Sequence, residues 1–177
     1  MLRKKRKAVI AERVQKDYKI KKVPKSDESW YIISNVVKSN IQFRACAEEE
    51  ITDLIHVFTS ATFTASSVIS TQGENMNYFY VIDTGIIDVF IEGEHVSSLH
   101  SKGSFGEECF LGCAATATCR ARENCKLWCI HRKDFRNITG NNRQKRLEVK
   151  TKFLRNVRNY YFLHLLIYSS LIYFVYR

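Results

Sequence analysis

The chain has 177 residues and a formal net charge of +10, with 45% hydrophobic and 26% charged residues. This length and composition suit one globular domain with extensions and exclude a chain too polar to bury a core. The charge is uneven, because residues 1–23 hold ten Lys or Arg against two acids, which leaves a net +2 for the other 154 residues. We therefore expect the N-terminal arm, more than the body, to meet an acidic partner.

The six cysteines include no C-x-x-C pair and no histidine at a spacing typical of zinc. The charged N-terminus lacks the apolar run of a secretory signal. We therefore expect reduced thiols, no metal and a cytoplasmic protein.

The first predicted element is the arm, residues 1–23, which has few apolar residues and is expected to be disordered at least in its first part. After Pro24, a capping pattern at Ser26 precedes an amphipathic helix. A second helix is predicted over residues 47–58, with acids in its first turn. The apolar positions of the two helices are Ile32, Ile33, Val36, Val37 and Ile41, and Ile51, Leu54, Ile55 and Phe58.

After Phe58 the chain changes to short segments rich in β-branched and aromatic residues, separated by turn signals. This density of short strands predicts a small β-barrel or jelly roll. The helical period then returns, so the predicted fold class is α+β, mainly β, with helices flanking a β-roll. The predicted strand segments are 62–70, 78–85, 86–93, 94–100, 115–121 and 126–131, and the later helical segments are 132–138 and 143–157.

The tail, residues 160–176, has no acid, lysine or arginine but contains His164, Ser169 and Ser170. A membrane helix needs about 20 apolar residues, so a tail packed on the domain or poorly structured is favoured over a membrane anchor. The predicted organisation is an arm (1–23), a domain (24–158) and a hydrophobic tail (159–177).

Three stretches carry a resemblance to a known family: "QGENMNYFYVIDTGIIDVFIEG" (72–93), "GSFGEE" (103–108) and "LWCIHRKDFRNI" (127–138). They resemble a cyclic-nucleotide-binding domain, in particular the first such domain of regulatory subunits of cAMP-dependent protein kinase. The resemblance runs from about Lys22 to Val157 and implies a ligand-binding β-roll. The matching positions are Gln72, Gly73, Phe79 to Asp83, Gly85, Asp88 and Val89. The histidines are scattered, so we expect no enzyme.

The resemblance also implies a binding site around the Phe-Gly-Glu turn. In the family the glutamate, here Glu107, accepts the ribose 2′-hydroxyl, and the glycine, Gly106, lets the backbone approach the ligand. The alternative for Glu107 is a solvated turn acid. The implied ligand-binding residues are Phe105, Gly106, Glu107, Glu108, Cys109, Ala115, Thr116 and Ala117.

The stretch "SFGEECFLGCAATATCRA" (104–121) lacks the arginine that the family uses for the cyclic phosphate. The loop is one residue shorter, and Ala115, or Thr116 if no gap is allowed, stands at that position. Arg120 and Arg122 follow in the next strand on one face, where a solvent-facing side chain is the commoner case. We expect weak cAMP binding, binding of an uncharged nucleoside, or an empty pocket. The backbone amides of residues 115–117 would then be neutral hydrogen-bond donors to a ligand, which cannot replace a full charge.

The arm contains "KKRKAVIAE", which resembles the basic-basic-x-Ala/Ser-hydrophobic segment that the family inserts into the kinase active site. Because Ala8 has no hydroxyl, the segment would bind as a substrate does without being phosphorylated. Lys5 departs from the usual arginine, and lysine cannot make a bidentate fork, so inhibition is expected to be weaker. The alternatives are a nuclear-localisation-like cluster or nonspecific RNA attraction. The pseudosubstrate residues are Lys5, Arg6, Lys7, Ala8 and Val9.

The leading hypothesis is therefore a regulatory protein that inhibits a cAMP-dependent-type kinase and has a degenerate pocket for weak cAMP or a nucleoside. Its partners would be a kinase catalytic subunit and the small ligand, not a nucleic acid. The alternatives are a ligand-sensing or scaffold domain without kinase contact, or a truncated inactive relative. Without the family's dimerisation domain and second β-roll, a monomer is expected. One of Tyr160, Tyr161 and Phe162 is expected to cap the purine.

Overall fold

A computed structural model describes residues 15, 18–141, 147–148 and 151–152. The predicted pseudosubstrate (5–9) and purine cap (160–162) lie outside these residues. The chain divides into two compact units, 1–139 and 140–177. The described residues of the second unit are helical, and the Thr151 hydroxyl donates to the Leu147 carbonyl at 2.7 Å.

The first unit contains helices at both ends of a mainly β domain. The helices are α1 (Asp27–Ser39), a 3₁₀ turn (Ile41–Phe43), α2 (Glu48–Val57) and α3 (Glu108–Leu111), and residues 132–139 of this unit are also helical and are called α4. The strands are β1 (Thr59–Phe63), β2 (Val68–Ser70), β3 (Tyr78–Thr84), β4 (Ile87–Ile91), β5 (Glu94–Leu99), β6 (Ser104–Phe105), β7 (Thr118–Ala121) and β8 (Cys125–His131).

The strands form two four-stranded sheets, in the orders β1-β8-β3-β6 and β2-β7-β4-β5. Every pairing is antiparallel, with Tyr80 opposite Cys129 between β3 and β8. The mainly-β prediction with flanking helices is therefore confirmed. The segment predicted over 62–70 is divided between two strands, and the two-residue strand β6 was not predicted.

Helix α1 begins where the capping pattern predicts. The Ser26 hydroxyl accepts from the Ser29 N–H at 3.3 Å, and Ile33 and Val37 are fully buried. The prediction for Ile41 is wrong, because this side chain is 67% exposed. The chain leaves α1 before Ile41 and turns through the 3₁₀ segment, which buries Phe43 instead.

Helix α2 confirms the second helical prediction. Its first-turn acid Glu50 accepts from the Ala47 N–H at 2.6 Å, which satisfies a backbone donor that the helix leaves unpaired. The predicted apolar positions, from Ile51 to Phe58, are all buried.

Four phenylalanines join the helices to the sheet and are called the aromatic cluster: Phe43, Phe79, Phe110 and Phe135. The Phe43 ring lies 5.5 Å from Phe79, 5.4 Å from Phe110 and 5.5 Å from Phe135, centre to centre. Phe110 and Phe135 are closer still, at 4.2 Å. The cluster therefore holds α3 between the 3₁₀ turn, β3 and α4.

No helix among the described residues is long and apolar enough to cross a membrane. The hydrophobic tail, residues 159–177, lies outside that part of the chain, so its packing stays a prediction.

Candidate ligand-binding site

The predicted Phe-Gly-Glu turn begins at Phe105, the last residue of the short strand β6. Phe105 pairs with Tyr80 of β3, and the two rings stack with centres 4.9 Å apart and planes 17° from parallel. Phe105 is only 7% exposed, so its side chain anchors the turn in the core.

Gly106 has φ +90°, a conformation that side chains rarely adopt. A Cβ on this residue would lie 2.6 Å from the Tyr78 carbonyl oxygen and 2.6 Å from Met76 Cε. The backbone of Tyr78 thus requires glycine here, whether or not a ligand also approaches it.

Two donors orient the Glu107 carboxylate. Its Oε1 accepts from Asn40 Nδ2 and from the Ser104 hydroxyl, each at 2.9 Å. Both bonds use Oε1, and no hydrogen bond to Oε2 is formed within the described part of the chain. Ribose binding by the Glu107 carboxylate stays a prediction. Sequence reasoning missed both donors. Ser104 is signalled by its Ser-x-x-Glu spacing, whereas Asn40 is 67 positions away and leaves no local signal.

Glu108 and Cys109, the two residues after Glu107, lie in different environments. The Thr116 hydroxyl donates to Glu108 Oε1, which ties the start of α3 to the loop behind it. Cys109 is fully buried, and the pKa of its thiol is raised to about 12. Burial is the main cause of this rise, and the nearby Glu107 carboxylate is the second cause. The Cys109 side chain is therefore a neutral part of the core.

Ala115, at the position expected for the phosphate arginine, is 7% exposed and paired through its backbone. Its N–H donates to the Glu74 carbonyl at 2.8 Å, and its carbonyl accepts from the Gly73 N–H at 2.9 Å. The Ala115 amide is therefore paired within the protein, and ligand binding by residues 115–117 stays a prediction. Thr116 is exposed and Ala117 is half-buried.

Arg120 of β7 and Arg122, just after this strand, both face solvent, as predicted. The Arg120 guanidinium lies 5.5 Å from the centre of the Phe90 ring. Arg122 donates from Nε to Asp88 Oδ2 at 3.0 Å and from NH2 to Oδ1 at 2.6 Å. This bond to Arg122 is the main reason that the pKa of Asp88 falls to about 2. Both arginines are exposed and have partners within the sheet, which gives no support for a role in place of the missing arginine.

Two further arginines lie near the end of α3. Nitrogens of Arg136 and Arg132 come within 3.7 and 3.9 Å of the place a Cβ would take on Gly112. Cations are favourable at a helix C-terminus, and both side chains have other interactions. Sequence reasoning did not single them out.

A cavity of about 400 Å³ opens where β1 ends and β8 begins. None of the predicted ligand-binding residues lines it. The lining residues are Thr62, Phe63, Thr64, Thr84, Asn124, Cys125 and Lys126. Among the described residues, no group of three His, Cys, Asp or Glu is placed to hold a metal ion.

Comparisons with known proteins agree with the mainly-β fold described above. Residues 61–142 match the sequence model of the cyclic nucleotide-binding domain family. Cyclic-AMP-bound PfPKA-R superposes with a TM-score of 0.63 at 24% identity, over 68% of this chain and 45% of that one.

Two trypanosome structures are also similar. The regulatory subunit of a cAMP-independent protein kinase A from Trypanosoma cruzi, bound to guanosine, has a TM-score of 0.60 at 24% identity, covering 78% of this chain and 50% of that one. The corresponding subunit from Trypanosoma brucei has a TM-score of 0.60 at 20% identity, covering 78% and 52%. The chain thus spans about half the length of these structures. Residues 61–142 match the cyclic nucleotide-binding domain in sequence, and the described chain shares its fold with regulatory subunits of protein kinase A.

Proposed function

We propose that this protein is a kinase regulatory protein whose cyclic-nucleotide-type pocket prefers an uncharged purine nucleoside to cAMP. Two features of the site carry the proposal together. The Glu107 carboxylate is oriented by hydrogen bonds, and a buried alanine, Ala115, stands at the position where a phosphate needs a cation. Glu107 offers Oε2 to a ribose hydroxyl, which a nucleoside and a cyclic nucleotide both present.

The charge balance of the site decides between the two ligands. Loss of a bidentate cationic partner removes roughly 2–5 kcal/mol, which is about a 30- to 4,000-fold loss of affinity for the phosphate. Glu108 adds a second carboxyl group beside Glu107. A nucleoside has no phosphate, so the missing cation does not lower its affinity. The guanosine in the T. cruzi regulatory subunit supports the choice of ligand class.

The kinase part of the proposal rests on the arm. Lys5 and Arg6 supply the cations before Ala8, and Val9 supplies the apolar residue after it. The shared fold with kinase regulatory subunits supports this role. One aromatic residue among Tyr160, Tyr161 and Phe162 would cover the purine, which stacking stabilises by about 0.5–1.5 kcal/mol.

Calorimetric titration of the full chain with guanosine, adenosine and cAMP tests the pocket. We expect a nucleoside to bind more tightly than cAMP, and Glu107→Gln to weaken nucleoside binding about tenfold or more. Glu123→Gln, at an exposed turn acid, is the matched control. Tighter binding of cAMP than of either nucleoside would overturn the proposed ligand class.

The loop offers a repair experiment. Ala115→Arg alone is expected to gain little cAMP affinity, because this site is buried and its loop is one residue short. An inserted residue together with the arginine should raise cAMP affinity, whereas the same insertion with glutamine should not. Equal cAMP affinity in the wild-type and repaired proteins would mean that another cation already contacts the phosphate.

Inhibition of a cAMP-dependent kinase catalytic subunit tests the arm. The full chain should compete with peptide substrate, and Ala8→Ser should turn the arm into a phosphoacceptor. Ala11→Ser, outside the recognition spacing, is the control. Unchanged kinase activity at high micromolar protein would favour the scaffold alternative. Sedimentation tests the proposed monomer, which a stable dimer would contradict.

A further inference from the structure

The cavity where β1 ends and β8 begins has no part in the proposed nucleoside site. Its volume of about 400 Å³ falls within the range of small-molecule sites, which is about 300–1,000 Å³. Its lining includes no residue of the Phe-Gly-Glu turn and none of residues 115–117. The side chains that line the cavity therefore decide which chemical class of ligand it would take.

The sheet register places one lysine of the cavity between two threonines. Lys126 of β8 lies opposite Thr62 of β1 on one side and opposite Thr84 of β3 on the other. Both threonines are exposed, and neither hydroxyl makes a hydrogen bond to another residue in the described part of the chain. Three neighbouring strands therefore each bring one hydrogen-bond donor to the cavity.

A buried carboxylate holds the Lys126 ammonium in place. Lys126 Nζ lies 2.8 Å from Asp83 Oδ2, which also accepts from the Trp128 indole N–H at 3.2 Å. Asp83 is only 8% exposed, whereas the Lys126 side chain is 43% exposed. An ammonium has three protons and the ion pair uses one of them, so Lys126 keeps donors for a ligand.

Asn124 adds an amide donor whose orientation is fixed. Its Oδ1 accepts from the Ala65 N–H at 3.0 Å, so its Nδ2 is the atom that a ligand would meet. No carboxylate lines the cavity among the described residues, and Glu123, the neighbour of Asn124, is not part of the wall. A wall with several donors and no carboxylate favours a ligand that accepts hydrogen bonds and carries negative charge.

The charges around the cavity favour a monoanion over a phosphate dianion. The ammonium groups of Lys25 and Lys126 lie 5.2 and 5.4 Å from the centre of the same Trp128 ring. Burial lowers the pKa of Lys25 to about 8, so this lysine is mainly protonated at neutral pH. The hydrogen bonds of Lys25 go to uncharged backbone carbonyls. Asp83 therefore balances one of the two cations, and a single carboxylate balances the other.

We propose that this cavity binds a small monocarboxylate with an apolar body. The carboxylate lies between Lys126 and the Thr62 and Thr84 hydroxyls. The apolar body packs against Phe63, which lines the same cavity. This second site is independent of the proposed function, because it shares no residue with the Glu107 site.

Amide chemical shifts of the isotope-labelled full chain, titrated with acetate, butyrate and benzoate, test the site. These probes share one carboxylate and differ in apolar body, so affinity should rise in that order. The largest shifts should be at residues 62–64, 84 and 124–126. Benzamide, which lacks the charge, and inorganic phosphate, which lacks the apolar body, should bind at least about tenfold more weakly than benzoate. Shifts that avoid these residues with all three carboxylates would overturn the site, and equal affinity for benzamide or phosphate would overturn the ligand class.

Thr62→Val combined with Thr84→Val removes both hydroxyls and keeps the ion pair of Lys126 with Asp83. This double variant should bind benzoate about tenfold more weakly, whereas Ser60→Ala, at an exposed serine of β1 outside the cavity, should bind it as the wild type does. Unchanged affinity in the double variant would contradict the proposal.

Lys126→Met removes the cation and should weaken benzoate binding by more than about tenfold. Lys38→Met is the matched control, because it breaks an exposed ion pair with Glu48 far from the cavity lining. Saturating guanosine separates this site from the proposed function. If guanosine displaces benzoate, the two ligands share one site and the second site is wrong. If guanosine does not bind at all, only the proposed function fails, and the positions of the benzoate shifts still decide the second site.

Discussion

Gly106 illustrates how a neighbouring backbone can require a residue that is usually explained by a ligand. Its positive φ and the 2.6 Å approach to the Tyr78 carbonyl oxygen both disfavour a side chain. The turn that presents Glu107 is therefore held close to β3 before any ligand arrives. At this scale the site depends on packing as much as on recognition.

Gly106→Ala is expected to lower the free energy of unfolding by about 2–5 kcal/mol, since it combines an unfavourable φ with an overlap against rigid backbone. Gly93→Ala is the control, because Gly93 has φ +84° but nothing within 4 Å of an added Cβ. Its loss should be only about 1–2 kcal/mol. Urea unfolding of both variants gives the comparison. Equal losses would show that φ alone, and not the contact with Tyr78, disfavours a side chain.

At the scale of elements, a polar network joins three strands of the second sheet. Asp88 on β4 accepts from Arg122, just after β7, and from Ser98 on β5. His95 lies 3.3 Å from the same carboxylate. These residues lie on β4, on β5 and just after β7, and the sheet register brings them together.

The network predicts a pH-dependent contribution to stability. The pKa of Asp88 is about 2 in the folded protein, below its ordinary value of 3.8. The carboxylate therefore stabilises the fold above pH 3.8, and this contribution is lost as the pH falls towards about 2. Arg122→Ala should lower the urea midpoint at neutral pH, and its difference from wild type should shrink as the pH falls through this range.

Arg120→Ala is the matched control, because Arg120 is also an exposed arginine of this sheet and contacts the Phe90 ring. Its difference from wild type should be nearly constant with pH. A difference for Arg122→Ala that persists unchanged to about pH 2 would show that the guanidinium acts through packing and not through the Asp88 charge.

For the whole molecule, the aromatic cluster joins the helices to the first sheet. Phe43 comes from the 3₁₀ turn, Phe79 from β3, and Phe110 and Phe135 from α3 and α4. Because the Phe43 ring touches all the others, loss of Phe43 should loosen both the contact with the sheet and the Phe-Gly-Glu turn.

Phe43→Ala should lower the free energy of unfolding by about 3–5 kcal/mol, the usual loss for a buried phenylalanine. Ile41→Ala, at an exposed site of the same turn, should change it by less than about 0.5 kcal/mol. Urea unfolding measures both variants. Hydrogen exchange of residues 108–111 should rise in Phe43→Ala. Unchanged exchange there would show that α3 does not depend on the cluster.

The sequence by itself determined the features that depend on neighbours in the chain. The Ser26 cap and the apolar period of α1 act within a few residues, and so do the apolar and aromatic runs that form β3 and β8. The missing arginine between Glu107 and Thr118 is likewise a property of the sequence alone. Together with the family resemblance, these features predicted the mainly-β fold class and left weak cAMP binding, nucleoside binding and an empty pocket as alternatives.

Only the tertiary structure decided which distant residues meet. Asn40 reaches Glu107 across 67 positions, and Ile41 is exposed because the 3₁₀ turn buries Phe43 in its place. The amide of Ala115 is taken by Glu74, and Arg122 by Asp88. Sheet register and side-chain packing set these partners, because a hydrogen bond depends on distance in space and leaves no periodic signal along the chain.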